Sequence, residues 1–360
     1  MKRSSIIYFT LPSSFSFVTF VRTCIFKQKR TMKYRVLGKT GFNISEVSLG
    51  TWQVGGKWGE PFSFSNAEDI LNTAVDNGVN FIDTAEVYGN GDRESERAVG
   101  KFVKSRSERI YVATKCGRRL DPHVNESYTP KALRKFVEES LANTGLNALD
   151  LIQLHCPPTE VYYRPEIFGE FEKLKAEGKV LNLGVSVEKV EEAIKAMEFD
   201  NVTTVQIIFN MFRQRPSELF FDLAQQKNIG ILARVPLASG LLSGKFTKDS
   251  KFGKDDHRFF NRNGEAFDKG ETFSGIDYET GLKAVDALKM AFPNKNLTLI
   301  ALRWILMFDA VSCVIPGASR KEQILSNLEV ETLPKLTSEE MQTIRQVYET
   351  HIKPLVHQLW

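Results

Sequence analysis

Short apolar runs alternate with longer stretches of helical periodicity from residue 47 to residue 328. The runs occupy 47–52, 81–83, 109–115, 150–155, 180–186, 203–208, 230–235 and 311–315. They are rich in branched and aromatic side chains and too short for buried helices, so they read as strands. Between them lie periodic segments with their own start and stop signals. Ser65-Asn-Ala-Glu68 has the form of a capping box and opens a helix that Gly78 closes. Thr129-Pro130 caps another, running to Asn143, and Gly178 stops the helix that begins at Pro165. Further helices are predicted over 94–104, 188–197, 217–227, 297–308 and 320–328. Eight strands, each but the seventh followed closely by a helix, predict parallel βαβ units and a closed (β/α)8 TIM barrel. The alternative is an open doubly wound sheet, but no Gly-x-Gly-x-x-Gly follows the first strand.

Outside this repeat, residues 34–47 predict a short N-terminal β-hairpin around Gly38-Lys39-Thr40-Gly41. Thr337-Ser-Glu-Glu340 caps an extra C-terminal helix. Residues 32–350 therefore read as a single barrel domain, followed by a C-terminal tail over 351–360. Residues 1–31 form a leader with six basic residues (Lys2, Arg3, Arg22, Lys27, Lys29, Arg30) and no acid. Its composition suits an organelle transit peptide, such as a mitochondrial one, or an extension upstream of a true start at Met32; a secretory signal or anchor is the third reading. The expected location is cytoplasmic in the second case and organellar in the first. No membrane association is expected of residues 32–360.

Charge changes the picture little. Without the six basic leader residues, the body holds 42 Lys and Arg against 44 Asp and Glu. Such a surface offers no reason to expect nucleic acid as a partner. Four widely spaced cysteines, Cys24, Cys116, Cys156 and Cys313, lack the spacing of a zinc site or a disulfide framework, so a reduced, metal-free chain is expected.

The barrel makes the polar residues interpretable, because chemistry in this fold sits at the carboxyl ends of the strands. Asp83 ends the second strand and Tyr88 lies in its loop; Lys115 ends the third and His155 the fourth. Singly, each has an ordinary reading as a turn former, a satisfied donor or a surface cation. Together they predict acid–base chemistry on a substrate oxygen. An ammonium about 4 Å from the phenol, at an effective dielectric near 20, interacts by up to ~4 kcal/mol, or ~3 pKa units. On that basis Lys115 is expected to bring Tyr88 towards neutrality, with Asp83 orienting Lys115 and His155 donating to the same oxygen.

These residues lie in motifs that together are specific: Gly50-Thr51-Trp52, Asp83-Thr-Ala-Glu-Val-Tyr88, Ala113-Thr114-Lys115, 149–155 (Leu-Asp-Leu-Ile-Gln-Leu-His), Gly184-Val-Ser186 and Ile315-Pro316-Gly317-Ala318. In them the sequence resembles the aldo-keto reductases from Tyr34 to about Tyr348. The resemblance implies NADP(H)-dependent reversible hydride transfer to a carbonyl or from an alcohol of a small-molecule substrate. It places the catalytic roles on Asp83, Tyr88, Lys115 and His155, with Tyr88 as the general acid in reduction.

It further implies cofactor contacts. Ser186 and Gln206 would hold the nicotinamide end, although Val187 stands where the family often has asparagine. Arg234 replaces a tyrosine that commonly stacks on the nicotinamide; its guanidinium could stack likewise or bind pyrophosphate. Thr51 and Trp52 lie beside the cofactor and substrate mouth, with Trp58, Phe62, Tyr128 and residues 357–360 as further lining candidates. Pro236, Leu237, Ser239, Gly240, Leu241 and Lys245 begin a pyrophosphate-covering segment, whose polar continuation to Gly270 is expected to be a lid. Gly317, Ser319, Arg320, Gln323 and Asn327 would surround the adenosine end. Arg320 and Lys321, at a helix start, suit the 2′-phosphate of NADPH, although Ser319-x-x-Glu322 is itself a complete capping box. Cys116 and Cys156 read as packing residues. A second reading of the resemblance is a cofactor-binding regulatory protein like the channel-associated β subunits, which depart from the four-residue set at the position of His155.

Overall fold

The computed structural model describes residues 31–56, 60–89 and 93–360. The leader, apart from Thr31, and Trp58 lie outside them. The hairpin is β1 (Tyr34–Val36) and β2 (Asn43–Ser45), antiparallel with Tyr34 opposite Ser45, and its turn ends on Gly41 at φ 71°. Leu37 and Ile44 from this hairpin pack with Phe81, Ala113, Leu151, Leu232 and Cys313, side chains that point into the barrel. The Lys39 N–H donates to the Asn228 carbonyl at 2.8 Å. The amino end of the barrel is thus plugged, which leaves the carboxyl end as the mouth.

Eight parallel strands follow: β3 (Leu49–Gly50), β4 (Phe81–Asp83), β5 (Tyr111–Cys116), β6 (Leu151–His155), β7 (Leu183–Ser186), β8 (Val202–Ile208), β9 (Gly230–Arg234) and β10 (Val311–Val314). They hydrogen-bond in sequence order. The ring closes where Val47 pairs with Val314 and Gly50 with Gly317. There the Ser48 N–H reaches the Val314 carbonyl at 2.9 Å and the Gly50 N–H that of Pro316 at 3.1 Å. Ladder bonds satisfy the backbone, so these strands can be buried on both faces, and their near-continuous apolar runs reflect it.

Helices α1 (Phe64–Asp76), α2 (Glu94–Ser105), α3 (Pro130–Thr144), α4 (Pro165–Ala176), α5 (Val190–Ala196) and α6 (Phe220–Gln226) alternate with β3 to β9. Between β9 and β10 come α7 (His257–Phe260), α8 (Tyr278–Ala291) and α9 (Leu297–Ile305); α10 (Lys321–Leu328), α11 (Ser338–His351) and α12 (Lys353–Val356) end the chain. The Thr129 and Thr337 caps form as expected. At α2 and α3 the helices approach so closely that a Cβ on Gly100 would lie 2.0 Å from the Thr144 carbonyl oxygen.

Three expectations are corrected. The cap of α1 is Ser63, whose Oγ accepts from the Asn66 N–H at 3.2 Å, because Phe64 is already helical and Ser65 lies inside the first turn. Ser319 and Glu322 make no capping box: α10 starts one residue later, and the Gln323 Oε1 accepts from the Ser319 N–H at 2.8 Å instead. Helix α8 was not predicted; its buried face is Gly281, Ala284, Val285 and Leu288, and the two small residues weaken the apolar period. Residues 351–360, set apart above as a tail, pack onto the barrel. Trp360 is buried under the Arg213 guanidinium at 4.3 Å and donates from Nε1 to Asp268 at 2.8 Å.

Candidate active site

Register brings the four strand-end residues together. Asp83 is the last residue of β4, opposite Ala113; two residues further along β5 lies Lys115. The Lys115 Nζ donates to Asp83 Oδ2 at 2.6 Å and to the Thr84 carbonyl at 2.9 Å, and lies 3.4 Å from the Tyr88 hydroxyl. The ring of His155, at the end of β6, meets that of Tyr88 edge-on at 6.2 Å. The imidazole Nδ1 is buried and has no hydrogen-bond partner among the described residues. Asp83 is held on its other oxygen by Gln206 at 2.8 Å and by Gln153 at 3.1 Å. Gln153, fully buried on β6, was not singled out in the sequence, where it reads as one polar residue in an apolar strand.

The electrostatics differ from the sequence expectation in one respect. Burial raises the Tyr88 phenol pKa and outweighs Lys115, which lowers it, so the net direction is upward, not towards neutrality. The Coulomb argument counted the ammonium but not the desolvation of a phenolate inside the barrel mouth. Burial also works against the Lys115 ammonium, but Asp83 and Tyr88 overcome it and the net shift is upward. His155 falls well below the ordinary histidine range through burial and the nearby Lys115, Arg118 and Arg234, so it is a neutral imidazole at physiological pH.

Ser186, the last residue of β7, pairs with Gln206, two residues before the end of β8, and Ser186 Oγ lies 3.5 Å from Cys156 Sγ. Arg234 is buried beside them and already engaged. It donates to the Val187 carbonyl at 3.1 Å and to Glu188 at 2.9 Å, and faces Glu271 at 3.7 Å. Burial, with Glu271 beside it, pushes the Glu188 carboxyl up to about 8. Thr51 is buried and bonded to Ser95. Trp52 is half-buried, its ring 6.3 Å from Tyr88 and 4.9 Å from His257. Phe62 lies against Phe64, and Tyr128 is buried behind Gly117, away from solvent.

The remaining predicted cofactor residues follow β9 and β10 in the chain. Pro236 and Leu241 are buried; Leu237, Ser239 and Gly240 are partly exposed and Lys245 exposed. Val235, Ala238 and Ser239 all take left-handed backbone, which non-glycine residues adopt at a cost and which concentrates at functional sites. The Ser239 Oγ ties this turn to the carbonyl of Glu271 at 3.0 Å. Gly317, Ser319 and Arg320 precede α10, with Arg320 exposed, Gln323 half-buried and Asn327 buried. No side chain caps the first turn of α10.

The segment expected to form a lid, to Gly270, contributes His257 beside Trp52 and Phe267 beside Arg118, and just beyond it Glu271 faces Arg118; none of the three was singled out in the sequence. Its irregular backbone gives no periodicity from which to place them. Arg118, in the loop after Lys115, was also passed over, although its distance from a strand end was a usable signal.

A closed (β/α)8 barrel with an ionisable cluster from three consecutive strands at its carboxyl mouth defines an enzyme of this architecture. Comparison with known proteins supplies the class: the profile of the Aldo/keto reductase family matches residues 46–349. The chain is 25% identical over 320 residues to the NADH-specific methylglyoxal reductase of Escherichia coli, covering 82% of this chain and 93% of that protein. It is 28% identical over 341 residues to a probable voltage-gated potassium channel subunit beta of Arabidopsis thaliana, covering 89% and 98%. Among solved structures, the glycerol dehydrogenase AKR11B4 of Gluconobacter oxydans matches with a TM-score of 0.71 and 28% identity, over 90% of this chain and 97% of that one. The chain belongs to the aldo-keto reductase family and is an oxidoreductase acting on carbonyl and alcohol groups. Among the described residues no helix is long and apolar enough to cross a membrane.

Proposed function

We propose that this protein is an NADPH-dependent carbonyl reductase in which Tyr88 donates the proton to the carbonyl oxygen. The observation that carries this is the chain of contacts Asp83–Lys115–Tyr88, at 2.6 and 3.4 Å, with His155 facing the same phenol. When bound, the nicotinamide supplies or accepts the hydride. Tyr88, held protonated at neutral pH, gives up its proton to the substrate oxygen, and Lys115 stabilises the phenolate that remains. Asp83 keeps Lys115 charged and oriented. His155, neutral, has a ring nitrogen available to position the substrate oxygen.

The residues present suit a nicotinamide dinucleotide. Ser186 and Gln206 pair on neighbouring strands, and Gln206 bonds Asp83 of the catalytic set; the amino end of α10, where Arg320 makes no side-chain cap, carries Arg320 and Lys321 and suits a phosphate. Preference for NADPH over NADH rests on those two cations. His155 favours the enzyme over a purely regulatory subunit. Consumption of NADPH with a panel of aldehydes and ketones tests the reading. Tyr88→Phe is expected to lose about 10²- to 10⁴-fold in kcat while still binding NADPH. Turnover of no carbonyl by the native chain, with cofactor binding intact, would point to the regulatory reading instead.

A further inference from the structure

Arg118 stands three residues beyond Lys115, where the chain leaves β5 at the mouth. Its side chain is only 21% exposed, yet its guanidinium makes no hydrogen bond to any described residue. Its contacts are an ion pair with Glu271 at 3.6 Å and the face of the Phe267 ring at 5.9 Å. A guanidinium carries five N–H donors, and those of Arg118 are not among the sealed, unpartnered polar atoms of the described residues, so they remain open to a ligand from the mouth. A hydrogen-bonded arginine–carboxylate pair closes to about 2.8 Å, so the Glu271 contact is charge attraction alone. Arg234 faces the same carboxylate at 3.7 Å, while its own hydrogen bonds go to Val187 and Glu188. Two guanidinium groups therefore straddle the Glu271 carboxylate without hydrogen-bonding it, while its side chain shares a hydrogen bond with that of Glu188. The catalytic imidazole faces the same cations: Lys115, Arg118 and Arg234 all act on His155.

We infer that Arg118 anchors a carboxylate carried by the substrate, so that the preferred substrates are aldehydes or ketones bearing a carboxylate group. This rests on the reductase reading above and adds the substrate class to it. The planar guanidinium matches a two-oxygen carboxylate in a way that a point cation would not. Glu271 already shows that this group fits the seat. The substrate carboxylate takes the donors that Arg118 leaves open, and Glu271 keeps its ion pair with Arg234. The carbonyl then lies towards Tyr88 and His155, with Trp52 and Phe267 as the apolar walls between.

The test compares 4-carboxybenzaldehyde with benzaldehyde, and benzoate with benzamide, on the full chain. For the native protein kcat/KM should favour the carboxylated aldehyde, mainly through KM. In Arg118→Leu the ratio of the two kcat/KM values should fall roughly ten- to a hundredfold, the scale of a lost charge-assisted hydrogen bond. Arg118→Lys should recover part of it. A native ratio at or below one, or a ratio that Arg118→Leu leaves unchanged, overturns the inference. Calorimetric titration keeps the two readings apart. If neither these two aldehydes nor any carbonyl of the wider panel is reduced, the reductase reading fails, and the anion site is judged on binding alone: benzoate binding at least tenfold tighter than benzamide, and lost in Arg118→Leu, upholds it, while equal binding refutes it.

Discussion

At the scale of single residues, the site is a competition between burial and paired charge. Tyr88 loses more to desolvation than it gains from Lys115, and its pKa therefore moves up from 10. A group raised in this way stays protonated through neutral and mildly alkaline pH. Reduction, which uses the protonated phenol, should hold a level kcat from pH 6 to 9 and fall only above about 10. Alcohol oxidation, which needs the phenolate, should rise across the same range. Steady-state pH profiles in both directions check this; a reductive kcat that halves near pH 7 would show that Lys115 dominates after all. Gln153 supports this arrangement without touching a reacting atom, since its amide bonds both Asp83 and Gln206. Gln153→Leu removes one of the bonds that orient Asp83, and should lower kcat by about tenfold while moving the alkaline limb of the profile. A loss of kcat with an unmoved limb would assign Gln153 to packing alone.

Elements carry the next set of consequences. The α2–α3 crossing depends on a bare Cα at Gly100, where a methyl would meet backbone and not a movable side chain. Gly100→Ala should therefore destabilise the fold by about 1–3 kcal/mol in urea titration, despite the better helix propensity of alanine. At α10 the N-cap residue Arg320 makes no side-chain capping bond, the Gln323 N–H turns back to the Arg320 carbonyl at 3.1 Å, and the Arg320 side chain is exposed beside the helix start. Arg320→Ala is expected to raise the Kd for NADPH about tenfold and to leave that for NADH nearly unchanged, measured by fluorescence titration. Equal losses for the two cofactors would exclude a phosphate role. The alternation of strands and helices was legible because strand runs and most caps are local signals. Helix α8 was not, because half of its buried stripe is Gly281 and Ala284, whose contribution to the core lies in close approach and not in apolar bulk.

For the whole molecule, the carboxyl-terminal Trp360 and segment 246–276 pack as one unit. Trp360 stacks under Arg213 and bonds Asp268, and a Cβ on Gly275 would lie 2.2 Å from its ring. The last residue of the chain thus braces the segment that brings Glu271 and His257 over the mouth. Trp360→Ala should cost about 3 kcal/mol of stability and expose 246–276 to limited proteolysis, with weaker cofactor binding; unchanged cleavage there would uncouple the two.

What the sequence determined by itself was the order of elements, the closed barrel and the four strand-end residues. These follow from local periodicity and from the rule that parallel strands present their carboxyl ends to one mouth. Only the tertiary structure decided how those residues are charged and what surrounds them. Desolvation of Tyr88, the commitment of Arg234 to Glu188, and the meeting of Arg118 with Glu271 depend on segments distant in the chain arriving at one place. Burial and charge pairing are properties of that place, and a linear pattern does not carry them.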